Sequence, residues 1–207
     1  MRMILILIGL LVLCGCGKQE GMAPTPPALQ PTGRPALAGK VVMIIAHKEF
    51  RDEELTETRK VLERANQTIA VASSDLSPAT GMLGMQAPVD LLVKDVKAAD
   101  YDAVVFVGGS GAQEYWDDPT AQQLARDAVA QGKVLGAICF APVTLANAGV
   151  LEGKQATVWR AEADRLKARG ADYTGAKVQV DGDVITANGP EAAQEFGQAL
   201  VKALAAK

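Results

Sequence analysis

Hydrophobic residues along this chain occur in short runs that are separated by longer stretches of mixed polarity. Four runs have the length and the β-branched content of buried strands: residues 41–46, 68–73, 103–107 and 134–138. Strands without polar alternation are buried on both faces, as in parallel sheets that helices cover on both sides. The pattern therefore predicts an α/β fold with a mostly parallel sheet.

Three amphipathic stretches predict the longer helices. Residues 52–65 place apolar side chains such as Leu55 and Leu62 on one face. Residues 118–131 begin with an aspartate cap followed by a proline, and residues 191–204 form a closing helix. Helices between the strands supply the crossover connections that a parallel sheet requires.

Two regions have the composition of hairpins. Residues 77–88 are punctuated by glycine and proline, which favours a turn between two short strands. Segments 177–180 and 184–187 flank Asp181-Gly182-Asp183, a sequence typical of a tight turn. We expect the second region to form an antiparallel pair near the end of the chain.

The first residues have the features of an export signal. Met1-Arg2 provides a positive start, residues 3–12 are almost wholly apolar, and Leu13-Cys14-Gly15-Cys16 follows. The apolar run is shorter than the roughly 20 residues that a membrane-spanning helix needs, which favours a removed targeting segment over an uncleaved anchor. We predict a lipoprotein-type signal peptide at residues 1–16, with Cys16 as the residue that carries the lipid.

Residues 17–39 contain prolines among Ala, Thr, Gly and Gln and have no apolar period. Proline-rich segments of this kind behave as extended spacers. We therefore predict a linker that holds the next domain off a membrane to which Cys16 is anchored. The expected location is the bacterial cell envelope, with the protein facing away from the cytoplasm.

The remaining residues, 40–207, have the length of one domain and can bury a core. The net charge of the chain is −3 and charges of both signs are interspersed, so the sequence offers no basic stripe for nucleic acid. Once Cys14 leaves with the signal and Cys16 is acylated, Cys139 is the remaining thiol. An intramolecular disulfide is then excluded.

Cys139 is the main candidate for chemistry. It ends the apolar run 134–138 and comes just before Ala141-Pro142, which starts a helix. A sharp strand-to-helix turn of this kind, a nucleophile elbow, presents one side chain at the carboxyl edge of the sheet, where helix N–H groups favour the reactive thiolate. The alternative interpretation is a small buried apolar residue, because free cysteine is often buried.

Other candidates follow the neighbouring strands and are expected at the same edge. The glycine-rich bend at residues 108–112 has backbone N–H groups that could face an oxyanion beside Cys139, although ordinary flexible loops have the same composition. Glu53 or Glu54, at the start of a predicted helix, could point at the thiol. A carboxyl group held there would have a raised pKa and donate a hydrogen bond to the sulfur. Acidic residues in a first helical turn also stabilise the helix itself.

His47 follows the first predicted strand and is the only histidine of the chain. It is a candidate general base for a Cys–His hydrolase, or simply a polar residue at a strand end. The sequence has no cluster of cysteine and histidine with metal-ligand spacing. We expect neither a metal nor an organic cofactor.

Four motifs together resemble the ThiJ/PfpI superfamily, which is related to the class I glutamine amidotransferases. The motifs are Phe50-Arg51-Asp52-Glu53-Glu54-Leu55, DYDAVVFVGG at residues 100–109, Ala137-Ile138-Cys139 with Ala141-Pro142, and Thr186-Ala187-Asn188-Gly189-Pro190. The resemblance covers residues 40–207. It implies a flavodoxin-like three-layer α/β sandwich, usually a homodimer, in which Cys139 is the nucleophile and a glutamate is bonded to it.

The resemblance also assigns roles to individual residues. Glu54, from its spacing to Leu55, is a better candidate than Glu53 for the glutamate beside the nucleophile. Gly109, Ser110 and Phe140 would border the oxyanion pocket.

The chain departs from the family pattern in two places. Peptidase-like members carry a histidine directly after the nucleophile, where this chain has Phe140. The amidotransferases carry a histidine and then a glutamate near the C-terminal end, where this chain has Asn188-Gly189-Pro190-Glu191. The resemblance therefore disfavours a cysteine peptidase, an amidase or a glutamine hydrolase, and leaves a Cys–Glu site.

Three functions remain compatible with such a site. In the favoured one, which is glyoxalase-like or deglycase-like, the Cys139 thiolate adds to a small reactive carbonyl compound or to a carbonyl-modified protein, and Glu54 moves the proton. In the second, the domain is a redox sensor or stress-protective binding module whose cysteine is oxidised. In the third, the domain is catalytically silent and binds a partner in the cell envelope.

Overall fold

The computed structural model describes residues 39–207. The predicted signal peptide, the lipid-accepting Cys16 and the proline-rich linker up to residue 38 lie outside the described residues. Within the described part, no helix is both long enough and apolar enough to cross a membrane.

Short strands and helices alternate along the described residues. The strands are β1 (Lys40–Ile44), β2 (Lys48–Phe50), β3 (Thr68–Ser73), β4 (Ala79–Gly81), β5 (Gln86–Ala87), β6 (Leu91–Leu92), β7 (Ala103–Phe106), β8 (Val134–Ile138), β9 (Gln155–Ala156), β10 (Asp172–Tyr173), β11 (Val178–Asp181) and β12 (Val184–Ala187). The α-helices are α1 (Asp52–Arg64), α2 (Pro119–Ala130), α3 (Pro142–Asn147), α4 (Ala163–Ala168) and α5 (Ala193–Leu204).

Seven of these strands form the main sheet, in the order β11-β12-β8-β7-β1-β3-β6. Neighbouring strands are parallel except for the antiparallel pair β11 and β12. The chain runs outwards from β1 through β3 and β6, and then returns to the other side of β1 for β7, β8 and β12. This reversal makes a topological switch point between β1 and β7, the place where parallel α/β sheets bind ligands.

Alternate side chains of the strands point into two separate cores. In β1, Val42 and Ile44 pack in the core under α2, α3 and α4, whereas Val41 and Met43 pack in the core under α1 and α5. All four side chains are at most 1% exposed. The chain is therefore a three-layer α/β sandwich of the flavodoxin-like type, as predicted.

Close packing of α5 against β8 depends on Gly136. A Cβ atom at this position would lie 2.9 Å from both the Leu200 Cδ2 and the Phe196 Cζ atoms. A larger residue here would force these two side chains to shift away from the strand that delivers Cys139.

The hydrophobic pattern predicted the principal elements with ends that differ by at most two residues. The two hairpins are also present, as the antiparallel pairs of β4 with β5 and of β11 with β12. No prediction was made for β2, β6, β9, β10 or α4, because strands of two or three residues and a helix of six carry too little periodicity.

Candidate active site

Cys139 forms the turn between β8 and α3 with a left-handed backbone. Its φ of 62° is unusual for a residue with a side chain and costs about 1–2 kcal/mol. Backbone hydrogen bonds hold the turn from both sides. The Cys139 N–H donates to the Ala187 carbonyl at 2.9 Å, and the Cys139 carbonyl accepts from the backbone N–H of Trp159 at 2.9 Å. This is the strand–turn–helix geometry of a nucleophile elbow.

Glu54 reaches the thiol from the first turn of α1. The residue is fully buried, and its Oε2 accepts a hydrogen bond from the Gly108 N–H at 2.9 Å. The carboxyl group also shares a side-chain hydrogen bond with Cys139. Among the described residues, the buried Oε1 atom has no other hydrogen-bond partner. The carboxyl group thus lies between the backbone after β7 and the sulfur.

Burial raises the pKa of Glu54 from its ordinary value of 4.5 to about 8. The hydrogen bonds with Cys139 and Gly108 and the positive charge of Arg51 act in the opposite direction but do not outweigh burial. Glu54 is therefore mostly protonated at neutral pH, and its O–H can donate to the sulfur.

Burial also raises the pKa of the Cys139 thiol, which is only 7% exposed, and the negative charge of ionised Glu54 raises it further. The backbone N–H groups of Gly109 and Phe140 donate to the sulfur and lower this pKa. The donors thus lie before α3 and after β7, rather than in the helix itself. Because the charge effect disappears when Glu54 holds its proton, the thiolate forms most easily in that state.

Gly108 leaves room for the contact between the acid and the sulfur. A Cβ atom at this position would lie 2.5 Å from the Cys139 Cβ and 2.6 Å from the Glu54 Oε2. Any side chain here would separate the two groups.

The register of α1 distinguishes between the two glutamates. Glu53 points outwards, where its Oε2 lies 2.8 Å from the Nε of Arg51 and its side chain is 40% exposed. Glu54 faces the thiol. The structure thus places Glu54, the better candidate from the motif, in the position beside Cys139.

Ser110 and His47 lie at the same edge of the sheet but are engaged with other residues. The Ser110 hydroxyl donates to Glu49 Oε2 at 2.9 Å. The backbone N–H of His47 donates to Glu114 Oε1 at 3.3 Å, and the His47 side chain interacts electrostatically with Asp75. The groups that act on the sulfur are Glu54 and the N–H groups of Gly109 and Phe140, whereas the contacts described for Ser110 and His47 are with these other residues. Among residues 39–207, no three or more His, Cys, Asp or Glu side chains are placed to hold a metal ion.

The two tryptophans of the chain flank Phe140, and neither was singled out from the sequence. The Trp116 Nε1–H donates to the Phe140 carbonyl at 3.0 Å. The Phe140 ring meets both tryptophan rings edge to face, with centroid distances of 6.1 Å to Trp116 and 6.4 Å to Trp159. Aromatic residues are rare in this chain, which is a weak reason to single out the two tryptophans. No spacing along the sequence predicts that they contact Phe140.

Known proteins share both the sequence and the fold. The model of the DJ-1/PfpI family matches residues 39–203. An uncharacterized protein of Methanocaldococcus jannaschii is 45% identical over 168 residues, which is 80% of this chain and 82% of that protein. A deglycase of Pyrococcus abyssi is 30% identical over 149 residues, 72% of this chain and 90% of the relative.

A glutathione-independent glyoxalase of Caenorhabditis elegans is 29% identical over 168 residues, covering 81% of this chain and 90% of that enzyme. The crystal structure of a ThiJ/PfpI domain protein from Brachyspira murdochii superposes with a TM-score of 0.80 at 34% identity, covering 82% of this chain and 98% of that one. The chain therefore belongs to the DJ-1/PfpI family.

Proposed function

We propose that this protein is a glyoxalase-like or deglycase-like enzyme that acts on reactive carbonyl compounds through Cys139 and Glu54. The proposal is carried by the buried pair of a thiol on a strained turn and a carboxyl group with a pKa of about 8. Perturbed pairs of this kind are typical of catalytic sites. The names of the relatives in Pyrococcus abyssi and Caenorhabditis elegans, a deglycase and a glyoxalase, support the same chemistry.

An α-ketoaldehyde serves to describe the reaction. The Cys139 thiol first loses its proton to solvent. The thiolate attacks the aldehyde carbon, and the Glu54 proton passes to the forming alkoxide, which gives a hemithioacetal near the N–H groups of Gly109 and Phe140. Glu54, now a carboxylate, removes the proton from this carbon and returns it to the neighbouring carbon. The hydroxyl proton of the hemithioacetal passes to the ketone oxygen, so the first carbon is oxidised to a thioester and the ketone is reduced to an alcohol. Water then hydrolyses the thioester, releasing a 2-hydroxy acid and the free thiol.

Purified protein is expected to convert methylglyoxal and water to lactate without added glutathione. The product is quantified by chiral chromatography, with heat-denatured protein as the control. Lactate formation no faster than in buffer would contradict the proposed function. The redox-sensing role of Cys139 and the homodimer both stay predictions.

We also propose that Cys16 carries a lipid that anchors the protein to a membrane of the cell envelope. The support is the short apolar run that precedes Leu13-Cys14-Gly15-Cys16. In cells fed radiolabelled palmitate, Cys16→Ser should lose the label and move from the membrane fraction to the soluble fraction. Cys139→Ser, a matched exchange, should keep both. A labelled, membrane-bound Cys16→Ser protein would rule out this anchor.

A further inference from the structure

A pocket of about 330 Å³ opens at the carboxyl end of β12. Its lining includes Val158, Trp159, Tyr173, Gly189 and Pro190. This size and this mainly apolar and aromatic lining are typical of small-molecule sites.

The pocket adjoins the elbow through Trp159. The backbone N–H of Trp159 donates to the Cys139 carbonyl at 2.9 Å, and the Trp159 ring contacts the Phe140 ring at a centroid distance of 6.4 Å. The N–H of Phe140 in turn donates to the sulfur. One residue therefore links the pocket wall to the donors around the thiol.

The Trp159 ring is held in place and yet remains accessible. The backbone at Gly189 packs so closely that a Cβ atom there would lie 3.1 Å from the ring atoms Cε3 and Cζ3. Trp159 is nevertheless 43% exposed, whereas Trp116, on the other side of Phe140, is 8% exposed. A fixed and accessible indole offers a flat surface on which another ring can stack.

The charges at the rim point to a neutral occupant. Arg160 and Glu191 both line the pocket and both are exposed, so their opposite charges offset each other. A pocket selective for an anion or a cation would present an excess of one sign. The neutral Asn188 also lines the pocket, and the rings of Trp159 and Tyr173 provide its aromatic surface.

We propose that this pocket binds the substituent of the α-ketoaldehyde substrate and that Trp159 selects a flat, neutral, aromatic one. The inference rests on the proposed function and names its substrate class: arylglyoxals are preferred over methylglyoxal. A methyl group leaves the pocket largely unfilled, whereas a phenyl ring stacks on the indole. Phenylglyoxal and water would yield mandelate by the same steps that yield lactate from methylglyoxal.

The test compares kcat/KM for phenylglyoxal and for methylglyoxal, from initial rates of mandelate and lactate formation. The wild-type protein is expected to favour phenylglyoxal, and Trp159→Ala should lower the ratio of the two values about tenfold. Trp159→Phe, which keeps a ring, should retain most of the preference. Val129→Ala removes an exposed apolar side chain of α2, which does not line the pocket, and should leave the ratio unchanged. The same ratio in Trp159→Ala and the wild type would overturn the inference.

Binding of the product separates this inference from the proposed function. Mandelate, titrated into the wild type and into Trp159→Ala by calorimetry, should bind the variant about tenfold more weakly. If the wild type forms neither lactate nor mandelate, the proposed function fails, and the titration still decides whether the pocket takes an aromatic ligand. Equal mandelate affinities for the two proteins would overturn the role of Trp159.

Discussion

Replacement of Cys139 by alanine is expected to abolish lactate formation from methylglyoxal, with a loss in kcat/KM of at least about 10³-fold. Alanine keeps the Glu54 carboxyl group and the Gly109 and Phe140 donors but offers no sulfur on which a hemithioacetal can form. The measurement is the initial rate of lactate formation, corrected for the rate in buffer.

The fold of this variant should be preserved, so that the loss can be assigned to the sulfur. Alanine at a φ of 62° meets the same backbone strain as cysteine, and circular dichroism with a thermal melt tests for any secondary damage. Ser74→Ala, an exchange on the exposed loop after β3, is the control and should retain full activity. An active Cys139→Ala protein would remove the thiol from the mechanism.

Glu54→Gln is expected to lower activity by about 10²–10⁴-fold while making Cys139 easier to alkylate above pH 8. The amide has nearly the same shape, and its oxygen can still accept from the Gly108 N–H. It cannot transfer a proton, so turnover falls. It also never ionises, so the charge that raises the pKa of Cys139 is absent and the thiolate forms at lower pH.

These two effects have opposite signs, which distinguishes a proton-transfer role for Glu54 from a purely structural one. A variant that had simply lost its packing would show reduced activity with no such pH dependence of alkylation. Iodoacetamide labelling, followed by peptide mass spectrometry, reports on Cys139 alone. Wild-type turnover by Glu54→Gln would exclude the carboxyl group as the proton carrier.

The pH dependence of stability gives a second measurement on the same variant. Because the pKa of Glu54 is raised from 4.5 to about 8 on folding, its contribution is fully present below about pH 4.5 and is lost as the pH rises through about 8. Each pKa unit corresponds to about 1.4 kcal/mol. The free energy of unfolding of the wild type should therefore fall, relative to that of Glu54→Gln, across this range. Parallel curves in urea titrations would contradict the raised pKa.

The fold was largely predictable because it depends on local patterns. Apolar runs such as residues 134–138 and amphipathic stretches such as residues 52–65 appear in the structure as β8 and α1 with almost the same ends. The position of Cys139 on a strand-to-helix turn follows from the same local pattern, since the run stops at the thiol and a helix start follows.

The surroundings of the sulfur were harder to predict because they depend on contacts between distant segments. Which of two adjacent glutamates faces the thiol is visible only from the hydrogen bond between Glu54 and the distant Gly108, and the backbone N–H of His47 and the hydroxyl of Ser110 donate to Glu114 and Glu49. The expectation that the elbow alone favours the thiolate did not take into account the burial that raises the pKa of Cys139. Nothing in the local sequence indicates that Trp159 lies beside Phe140.

Two of the groups that surround the sulfur, the Gly109 and Phe140 amides, belong to the main chain, and a third, Glu54, is oriented by the Gly108 amide. Backbone N–H donors do not depend on the side chains at neighbouring positions, provided that position 108 remains glycine. The proposed substrate choice, by contrast, resides in side chains such as that of Trp159. Under the proposed function, reactivity and selectivity reside in different parts of the site, so a library confined to the pocket wall is expected to change the preferred aldehyde and to leave the chemical step intact.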